Sequence, residues 1–299
     1  KPLEEGEDAP IIMKYVNIVR AFLVAGKGRK VIDADYESLE PHCFASVSGD
    51  KKLQEIFDNG WDFYSYVAIQ TEKLKGVSAD KKADNYLKKL DPVKRNKAKA
   101  YSLGVAYGME AYALKMTLGV DQKTAEGLIK GYLDGFPGLR DWRENSRRQV
   151  KDHGFIKNYV GRIRHVPKVK KIYEKFGEKM MDWRFRKNLE NQGYKRDDIV
   201  KVYRDYRNGL NFCLNFQLQS LAAAVVNRAA VVINRTAREK GFDAFVQAQV
   251  HDQLIINVKD DQAEAFAPIV QEIMENTTKL PGVTLKAPPE IANNWRDGH

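Results

Sequence analysis

Apolar residues near the carboxyl end of the chain predict a β-hairpin. The segments "DAFVQAQV" (243–250) and "QLIINV" (253–258) are apolar and β-branched, and only His251 and Asp252 separate them. Two such runs joined by two polar residues are typical of antiparallel strands with a tight turn. The carboxylate of Asp252 would then lie at the tip of a buried hairpin, although a dry core excludes unpaired charge.

Two other segments predict strands. In "KVIDADYESLE" (30–40) a short β-branched run ends in acidic residues, which indicates a strand that ends at Asp35. "GFIKNYVGRIRHVP" (154–167) alternates around Gly161 and predicts a second hairpin. A last strand is expected near 283–287.

The rest of the pattern is helical. Residues 50–153 predict several helices, of which one starts at Asp91-Pro92, because Asp caps a helix and Pro is tolerated at its first position. Pro137 separates two more. Further helices are predicted at 211–241, ending at Gly241, at 262–278, and on a solvated insert over 168–209 that is rich in charge and aromatic residues. The acidic start of residues 1–27 predicts poor order.

The net charge of the chain indicates the kind of partner that it binds. The net charge is +10, with 50 Lys and Arg, which favours a polyanionic partner over a merely soluble basic surface. Cys43 and Cys213 lie among apolar residues without metal-ligand spacing, so we expect reduced core cysteines in a reducing compartment. No apolar run of about 18 residues and no signal peptide is visible, so no membrane segment is expected. The chain begins with Lys1, which suggests a fragment or a processed product.

Two carboxylates are candidates for a metal site. If the strand ending at Asp35 and the hairpin tipped by Asp252 share a sheet, both side chains reach the same edge. Oxygen ligands of this kind suit Mg²⁺, with phosphate oxygens as further ligands. The alternative is structural, because Asp in a turn often caps local backbone groups.

The predicted helix after Asp91 has an ordered stripe of side chains. Arg95, Lys99, Leu103 and Tyr107 follow one another at steps of four, so they share one face. Such a stripe could bind a nucleotide, with the triphosphate at the two cations and the sugar and base at the aliphatic and aromatic side chains. An ordinary amphipathic helix with a solvated basic end explains the same pattern.

Three motifs together resemble the DNA polymerase I family, the family A DNA polymerases. They are "DYESLE" (35–40), "RNKAKAYSLGVAYG" (95–108) and "QVHDQ" (249–253), in the order of the family. "RAFLVAGKGRKVIDADY", "FPGLRDW", "GRIRHVP" and "NNW" match as well, so the resemblance covers about residues 16–165 and 210–299. Within the family, the sequence most resembles phage or other divergent members.

The resemblance implies an α+β fold, with an antiparallel-sheet palm and helical fingers of the polymerase I type. It implies residues 1–49 as the first part of the palm, 50–165 as fingers and 210–299 as the second part of the palm. Residues 166–209 would be a charged helical insert, longer than the family usually has, which either contacts a partner or DNA or is merely solvated. Only 34 residues precede Asp35, so we expect the thumb and the 3′–5′ exonuclease to be absent from this chain and supplied, where needed, by an upstream segment or another chain.

The resemblance also implies residue roles. Asp35 and Asp252, assisted by the carbonyl of Tyr36, would bind two Mg²⁺ ions, and these carboxylates with Lys99 would be catalytic. Nucleotide-binding residues would be Glu40 as a steric gate against a ribose 2′-OH, Arg95 and Lys99 at the triphosphate, and Tyr64, Leu103 and Tyr107 around the insertion site. Contacts to primer-template DNA would come from Asn215, Gln219, Gln249 and His251.

Four positions depart from the family pattern. Gln253 replaces a Glu, Tyr64 a phosphate-contacting His, Leu103 a Phe or Tyr, and His42 an Arg. Asp33 shares a strand face with Asp35 and could replace the missing carboxylate, or it could be a surface acid.

Three functions are consistent with these residues. The first is template-directed DNA synthesis from dNTPs by two-metal-ion nucleotidyl transfer, in bacterial or phage-infected cytoplasm. The second is a basic nucleic-acid-binding subunit whose catalytic activity is impaired by the missing thumb and by Gln253. The third is a single-subunit RNA polymerase, against which Glu40 argues because a gate would exclude ribonucleotides.

Overall fold

In the computed structural model, which describes residues 20–298, the chain forms two compact units. The sheet unit comprises the described residues of 20–39, 222–280 and 284–298, and the helical unit comprises 40–221 and 281–283. The acidic start predicted to be poorly ordered lies mostly outside the described residues.

The helices and strands follow the predicted order closely. The helices are α1 (Leu39–Ser48), α2 (Lys51–Asp58), α3 (Phe63–Glu72), α4 (Leu87–Leu90), α5 (Pro92–Ala106), α6 (Ala111–Leu118), α7 (Gln122–Gly135), α8 (Pro137–His153), α9 (Pro167–Phe176), α10 (Trp183–Asn191), α11 (Arg196–Lys240) and α12 (Ala263–Asn276). Short 3₁₀ helices span Gly177–Met181 and Asp260–Gln262. The strands are β1 (Arg29–Asp35), β2 (Phe155–Lys157), β3 (Ile163–His165), β4 (Ala244–Val250), β5 (Gln253–Lys259) and β6 (Pro289–Ala292).

The sheet unit is built on an antiparallel sheet of four strands in the order β4-β5-β1-β6. β4 and β5 form the predicted hairpin, and β5 pairs with β1 in a register that places Asp35 opposite Gln253. Six consecutive residues of β5 and four of β1 are buried, which explains their nearly continuous apolar sequence. The predicted meeting of the two acidic strand ends is therefore confirmed.

The helical unit confirms the expected helix boundaries. Asp91 accepts a hydrogen bond from the backbone N–H of Lys94 at 3.0 Å and caps α5, with Pro92 in the first turn. Pro137 begins α8 directly after α7. The second hairpin forms between β2 and β3, and Gly161 has a φ of +87° in the turn, where a side chain would be strained.

Three sequence predictions need correction. The last strand lies at Pro289–Ala292, because 283–287 has no strand and it is 289–292 that pairs with β1. The long helix ends as predicted but begins at Arg196, about a third of its length earlier than the predicted start at residue 211. The insert is helical but not simply solvated, since it contributes to a buried apolar cluster with Val169, Met180, Leu189, Ile199 and Tyr206.

The long helix also qualifies the expectation about membranes. By length and composition alone α11 is apolar enough to cross a membrane, a criterion that core helices of globular proteins meet as well. Leu214, Leu218 and Ile233 of this helix are fully buried within the protein, as expected of a core helix. Cys43 and Cys213 are both buried free thiols, as predicted.

Candidate functional site

The sheet unit brings two carboxylates to one end of the sheet. Asp35 is the last residue of β1, and Asp252 lies in the two-residue turn between β4 and β5, directly before the partner of Asp35. The backbone N–H of Tyr36 donates to the carbonyl oxygen of Asp252 at 3.4 Å. Tyr36 is itself held in place, because its buried hydroxyl donates to the carbonyl of Met274 at 2.7 Å. The backbone on both sides of the carboxylate pair is thus fixed by hydrogen bonds.

The electrostatics of this pair favour a cation. Burial, and then the charge of Asp252, raise the pKa of Asp35 to about 6. Oδ1 of Asp35 is shielded from solvent and accepts no hydrogen bond. A buried carboxylate oxygen without a donor is costly, and a bound cation is one way to satisfy it. Among residues 20–298, no group of three or more His, Cys, Asp or Glu side chains is arranged to hold a metal, so any ion here needs backbone or substrate oxygens too.

Asp33 is a buried member of the same region, not a surface acid. It is 3% exposed, and Nε2 of Gln253 donates to its two carboxylate oxygens at 2.6 and 2.9 Å. The indole Nε1 of Trp295 donates in turn to Oε1 of Gln253 at 3.0 Å. Burial is the largest cause that raises the pKa of Asp33 to about 7, and Asp35 adds to the effect. The amide at position 253 therefore provides donors that a glutamate could not provide.

The helical unit assembles a second group, the cation–aromatic cluster of Tyr64, Arg95 and Lys99. Tyr64 is buried on α3, and its ring lies 4.8 Å from the Arg95 guanidinium carbon and 5.7 Å from Nζ of Lys99. Arg95 and Lys99 are neighbours on one face of α5, as predicted. A ring face attracts cations, so Tyr64 holds the two side chains side by side without neutralising their charge.

Arg95 is also paired with a carboxylate that the sequence analysis did not identify. Its Nε and Nη2 each donate to Asp62 at 3.1 Å, a bidentate pair whose side chains are 14% and 9% exposed. Burial raises the pKa of Asp62, but hydrogen bonds from Arg95 and Ser65 outweigh it and the pKa lies below its ordinary value. The one available signal was an Asp three residues before a Ser at the start of α3, which predicts only a helix cap.

The apolar end of the stripe is formed by Leu103, near the end of α5, and by Tyr107, which caps it. Both are half-buried, and the Tyr107 hydroxyl is shielded without a well-formed hydrogen bond. Burial, and then the Glu40 carboxylate, raise the pKa of Tyr107 far above its ordinary range. Glu40 in the first turn of α1 therefore lies close to the Tyr107 ring, which brings two predicted nucleotide-binding residues together.

The predicted primer and template residues lie on both units. In the sheet unit, Gln249 on β4 and His251 in the turn are exposed, and His251 has a φ of +55° in the left-handed region. In the helical unit, Asn215 and Gln219 are one turn apart on α11; Gln219 is exposed, and Oδ1 of Asn215 is buried without a partner. Their roles remain predictions.

Comparison with known proteins gives the family. A sequence model described as DNA polymerase family A matches residues 8–297. The thermostable DNA polymerase I of Thermus filiformis is 29% identical over 290 residues, which cover 97% of this chain and 30% of the relative. DNA polymerase I of Pseudomonas aeruginosa is 28% identical over 98% of this chain and 28% of its own length. The chain thus spans about a third or less of the length of these relatives.

A solved structure shares the fold. The POL domain of Pol1 from M. smegmatis, in a complex with DNA primer-template and dNTP, superposes with a TM-score of 0.76 and 24% identity, over 99% of this chain and 45% of that one. The chain therefore has a polymerase I-type fold that contains an antiparallel sheet, and the predicted fold class is confirmed. The special similarity to phage members and the expected domain boundaries stay predictions.

Proposed function

Because the chain belongs to DNA polymerase family A, we propose that it carries the nucleotidyl-transfer centre of a template-directed DNA polymerase, which adds dNTPs to a primer 3′-OH. Residues 1–49 and 210–299 are proposed as palm, and 50–165 as fingers. Primer-template DNA and dNTPs are the proposed partners, in a cytoplasmic setting. The observation that carries the proposal is the convergence of Asp35 and Asp252 at one sheet end, with an unpartnered buried oxygen on Asp35.

The carboxylate pair fits two Mg²⁺ ions. Asp35 and Asp252 would hold them, with the backbone carbonyl of Tyr36 as a further oxygen ligand. Bound Mg²⁺ would supply charge neutralisation at the attacking and leaving oxygens and a more acidic primer hydroxyl. The protein contributes rigid placement, because the turn at Asp252 and the buried Tyr36 hydroxyl fix the backbone on either side of the pair.

The cation–aromatic cluster fits a triphosphate. Lys99 is exposed and is not neutralised by an acid among the described residues, so its ammonium is proposed to bind phosphate oxygens and is the proposed catalytic cation. Arg95, already bonded to Asp62, would hold phosphate with its remaining donors and keep Lys99 in position through Tyr64. Tyr64 thereby replaces the histidine of the family pattern by a cation–π contact.

The remaining residues are proposed to define the substrate. Glu40 beside Tyr107 would crowd a ribose 2′-OH, and the Leu103 and Tyr107 side chains would contact base and sugar. Gln249, His251, Asn215 and Gln219 would contact the primer end and the nascent pair. Since base pairing supplies sequence information, the protein needs only shape and backbone contacts, which suits a chain of net charge +10.

Primer extension with dNTPs or rNTPs, with and without Mg²⁺, tests the proposal. We expect template-directed products with dNTPs and Mg²⁺, and few with rNTPs. DNA binding without any extension would support the alternative of a binding subunit. Efficient rNTP extension would instead support the RNA polymerase alternative.

A further inference from the structure

Two arginines occupy the buried face of α8. The buried positions of this helix are Leu139, Arg143, Ser146 and Val150, the spacing of a stripe that faces a core. Arg143 is only 7% exposed, and Arg147 follows it by one turn and is half-buried. A buried guanidinium is costly unless it is paired.

Neither arginine is paired with a carboxylate among the described residues; burial lowers the pKa of Arg147, and the more distant charges of Glu110, Glu178 and Glu144 only partly oppose it. Nε and Nη1 of Arg143 and Nε of Arg147 are shielded from solvent and have no hydrogen-bond acceptor. Nη2 of Arg147 donates to Oδ1 of Asn211 at 3.0 Å, but no ion pair to either arginine occurs in the part of the chain that the structure describes. Burial, and then the charge of Arg147, lower the pKa of Arg143 to about 10. Buried N–H donors without a hydrogen-bond acceptor indicate that an acceptor is missing from the site.

A cavity of about 320 Å³ adjoins the two arginines. Gly108–Ala111 line it, together with Lys130. The segment leads into the N-terminus of α6, where Glu110 makes no side-chain capping bond. First-turn N–H groups and the helix dipole both favour an anion at such an end. The cavity therefore offers two guanidinium groups, an ammonium group and a helix N-terminus.

Two acids also line the cavity but are engaged elsewhere. Glu110 lies 3.9 Å from Arg207, and Oε1 of Glu126 accepts from Gln122 at 2.8 Å. Both acids are exposed, so neither compensates the buried charge of Arg143. A bound anion would supply the counter-charge that these two acids do not.

We propose that Arg143 and Arg147 bind a phosphate group of a nucleic-acid strand, an inference that rests on the proposed function. Guanidinium forks match phosphate oxygens and can donate two hydrogen bonds at once. Gly108 in the cavity wall directly follows Tyr107, the ring proposed to lie beside the nucleotide. A strand with unpaired bases passing this point, the template, would carry the phosphate. The triphosphate of a nucleotide offers the same chemistry, and the experiment separates the two.

The test is binding of a fluorescent primer-template with a single-stranded overhang, over a series of KCl concentrations, without Mg²⁺ or dNTP. Arg143→Leu and Arg147→Leu should weaken binding severalfold or more and reduce the log–log salt slope by about 0.7 for each lost contact to single-stranded phosphate. Arg148→Leu is the matched control, since Arg148 is exposed on the same helix and bonds only Asn145 among the described residues. It should leave the slope unchanged.

Thermal unfolding shows whether weaker DNA binding by a variant is due to misfolding. Leucine suits a buried helix face, so Arg143→Leu should unfold at or above the wild-type temperature in KCl. Inorganic phosphate should stabilise the wild type more than KCl of equal ionic strength, and Arg143→Leu should lose that difference. If Arg143→Leu does not fold, Arg143→Lys, which keeps the charge but loses the fork, should show the weaker binding instead.

The outcomes separate this inference from the proposed function. An unchanged slope in folded Arg143→Leu, with normal extension by the wild type, overturns the phosphate site alone. In a separate titration of the same variants with dNTP, weaker dNTP binding with unchanged DNA binding overturns the assignment to a nucleic-acid strand. A reduced slope in the two leucine variants, together with a wild-type chain that never extends primers, supports the site and removes the polymerase activity.

Discussion

The carboxylate pair at the sheet end and the cation–aromatic cluster on the helices differ in how their charges are balanced. Burial and then the charge of Asp252 raise the pKa of Asp35, and an oxygen of Asp35 is left without a donor. Arg95, in contrast, is bonded by Asp62 and lies with Lys99 over the ring of Tyr64. The negative charge of the carboxylate pair is not balanced without a cation. The side chains of the cation–aromatic cluster, in contrast, are already held in place without a ligand. Mutations should therefore affect stability in opposite directions in the two regions.

The largest effect is expected at the carboxylate pair. Asp35→Ala or Asp252→Ala should reduce primer extension by several orders of magnitude, because the charge that would hold the metal ions is lost. DNA binding should persist, and folding stability in EDTA should rise because like-charge repulsion is relieved. Single-turnover extension and urea denaturation measure the two effects. Glu264→Gln, an exposed acid of α12, is the control, and near-normal extension by either Ala variant would remove the metal assignment.

The cation–aromatic cluster should separate stability from nucleotide binding. Arg95→Ala leaves Asp62 buried and unpaired, so it should destabilise the protein by about 3–5 kcal/mol. Lys99→Ala should leave stability nearly unchanged but weaken nucleotide binding by about 1.5–3 kcal/mol, roughly 10- to 150-fold. Urea denaturation and the dNTP dependence of single-turnover extension measure these effects.

A double variant is the control for this prediction. Asp62→Asn should restore most of the stability that Arg95→Ala removes, because no buried charge is then left unpaired. Unchanged nucleotide dependence in Lys99→Ala would mean that its side chain is only part of a solvated face.

Asp33 should make stability depend on pH. Its pKa rises from an ordinary value of 3.8 to about 7 on folding, so the native state binds the proton more tightly than the unfolded chain. Stability should consequently fall as pH rises from about 4 to about 7, by at most about 1.4 kcal/mol per pH unit from this group. Asp33→Asn should remove that part of the slope and leave the smaller part due to Asp35.

Urea denaturation in EDTA at several pH values between 4 and 8 checks this. Gln253→Glu sharpens it, because a second carboxylate facing Asp33 should steepen the loss of stability with pH, and Asp33→Asn should cancel that change. Equal slopes in wild type and Asp33→Asn would mean that Asp33 is ionised in the native state at all these pH values.

The smallest effect is expected at Glu40. Glu40→Ala should raise ribonucleotide incorporation, because the side chain beside Tyr107 is proposed to exclude a 2′-OH by its bulk. Glu40→Gln, of equal size, should retain discrimination. The ratio of kcat/KM for dNTP and rNTP measures this, and equal ratios in Glu40→Ala and wild type would assign the gate to another residue.

The sequence by itself determined the local elements and the family. Apolar, β-branched runs placed β1, β4 and β5, and Asp91-Pro92 placed the start of α5, because strand propensity and helix capping depend on neighbouring residues. The three motifs identified the family for the same reason, since each lies within one short segment. Its one clear error in a strand, at 283–287, arose where pairing with β1 rather than local pattern selects the residues.

Apart from the predicted meeting of Asp35 and Asp252, only the tertiary structure decided which polar and charged side chains meet. Asp33 and Gln253 are 220 residues apart, and Arg95 lies 33 residues from Asp62, so no spacing rule connects them. The burial of Arg143 depends in the same way on what packs against α8, and composition cannot distinguish it from the exposed Arg148 on the same helix. Burial and long-range pairing set the energies of ionised groups, and both are properties of the folded chain alone.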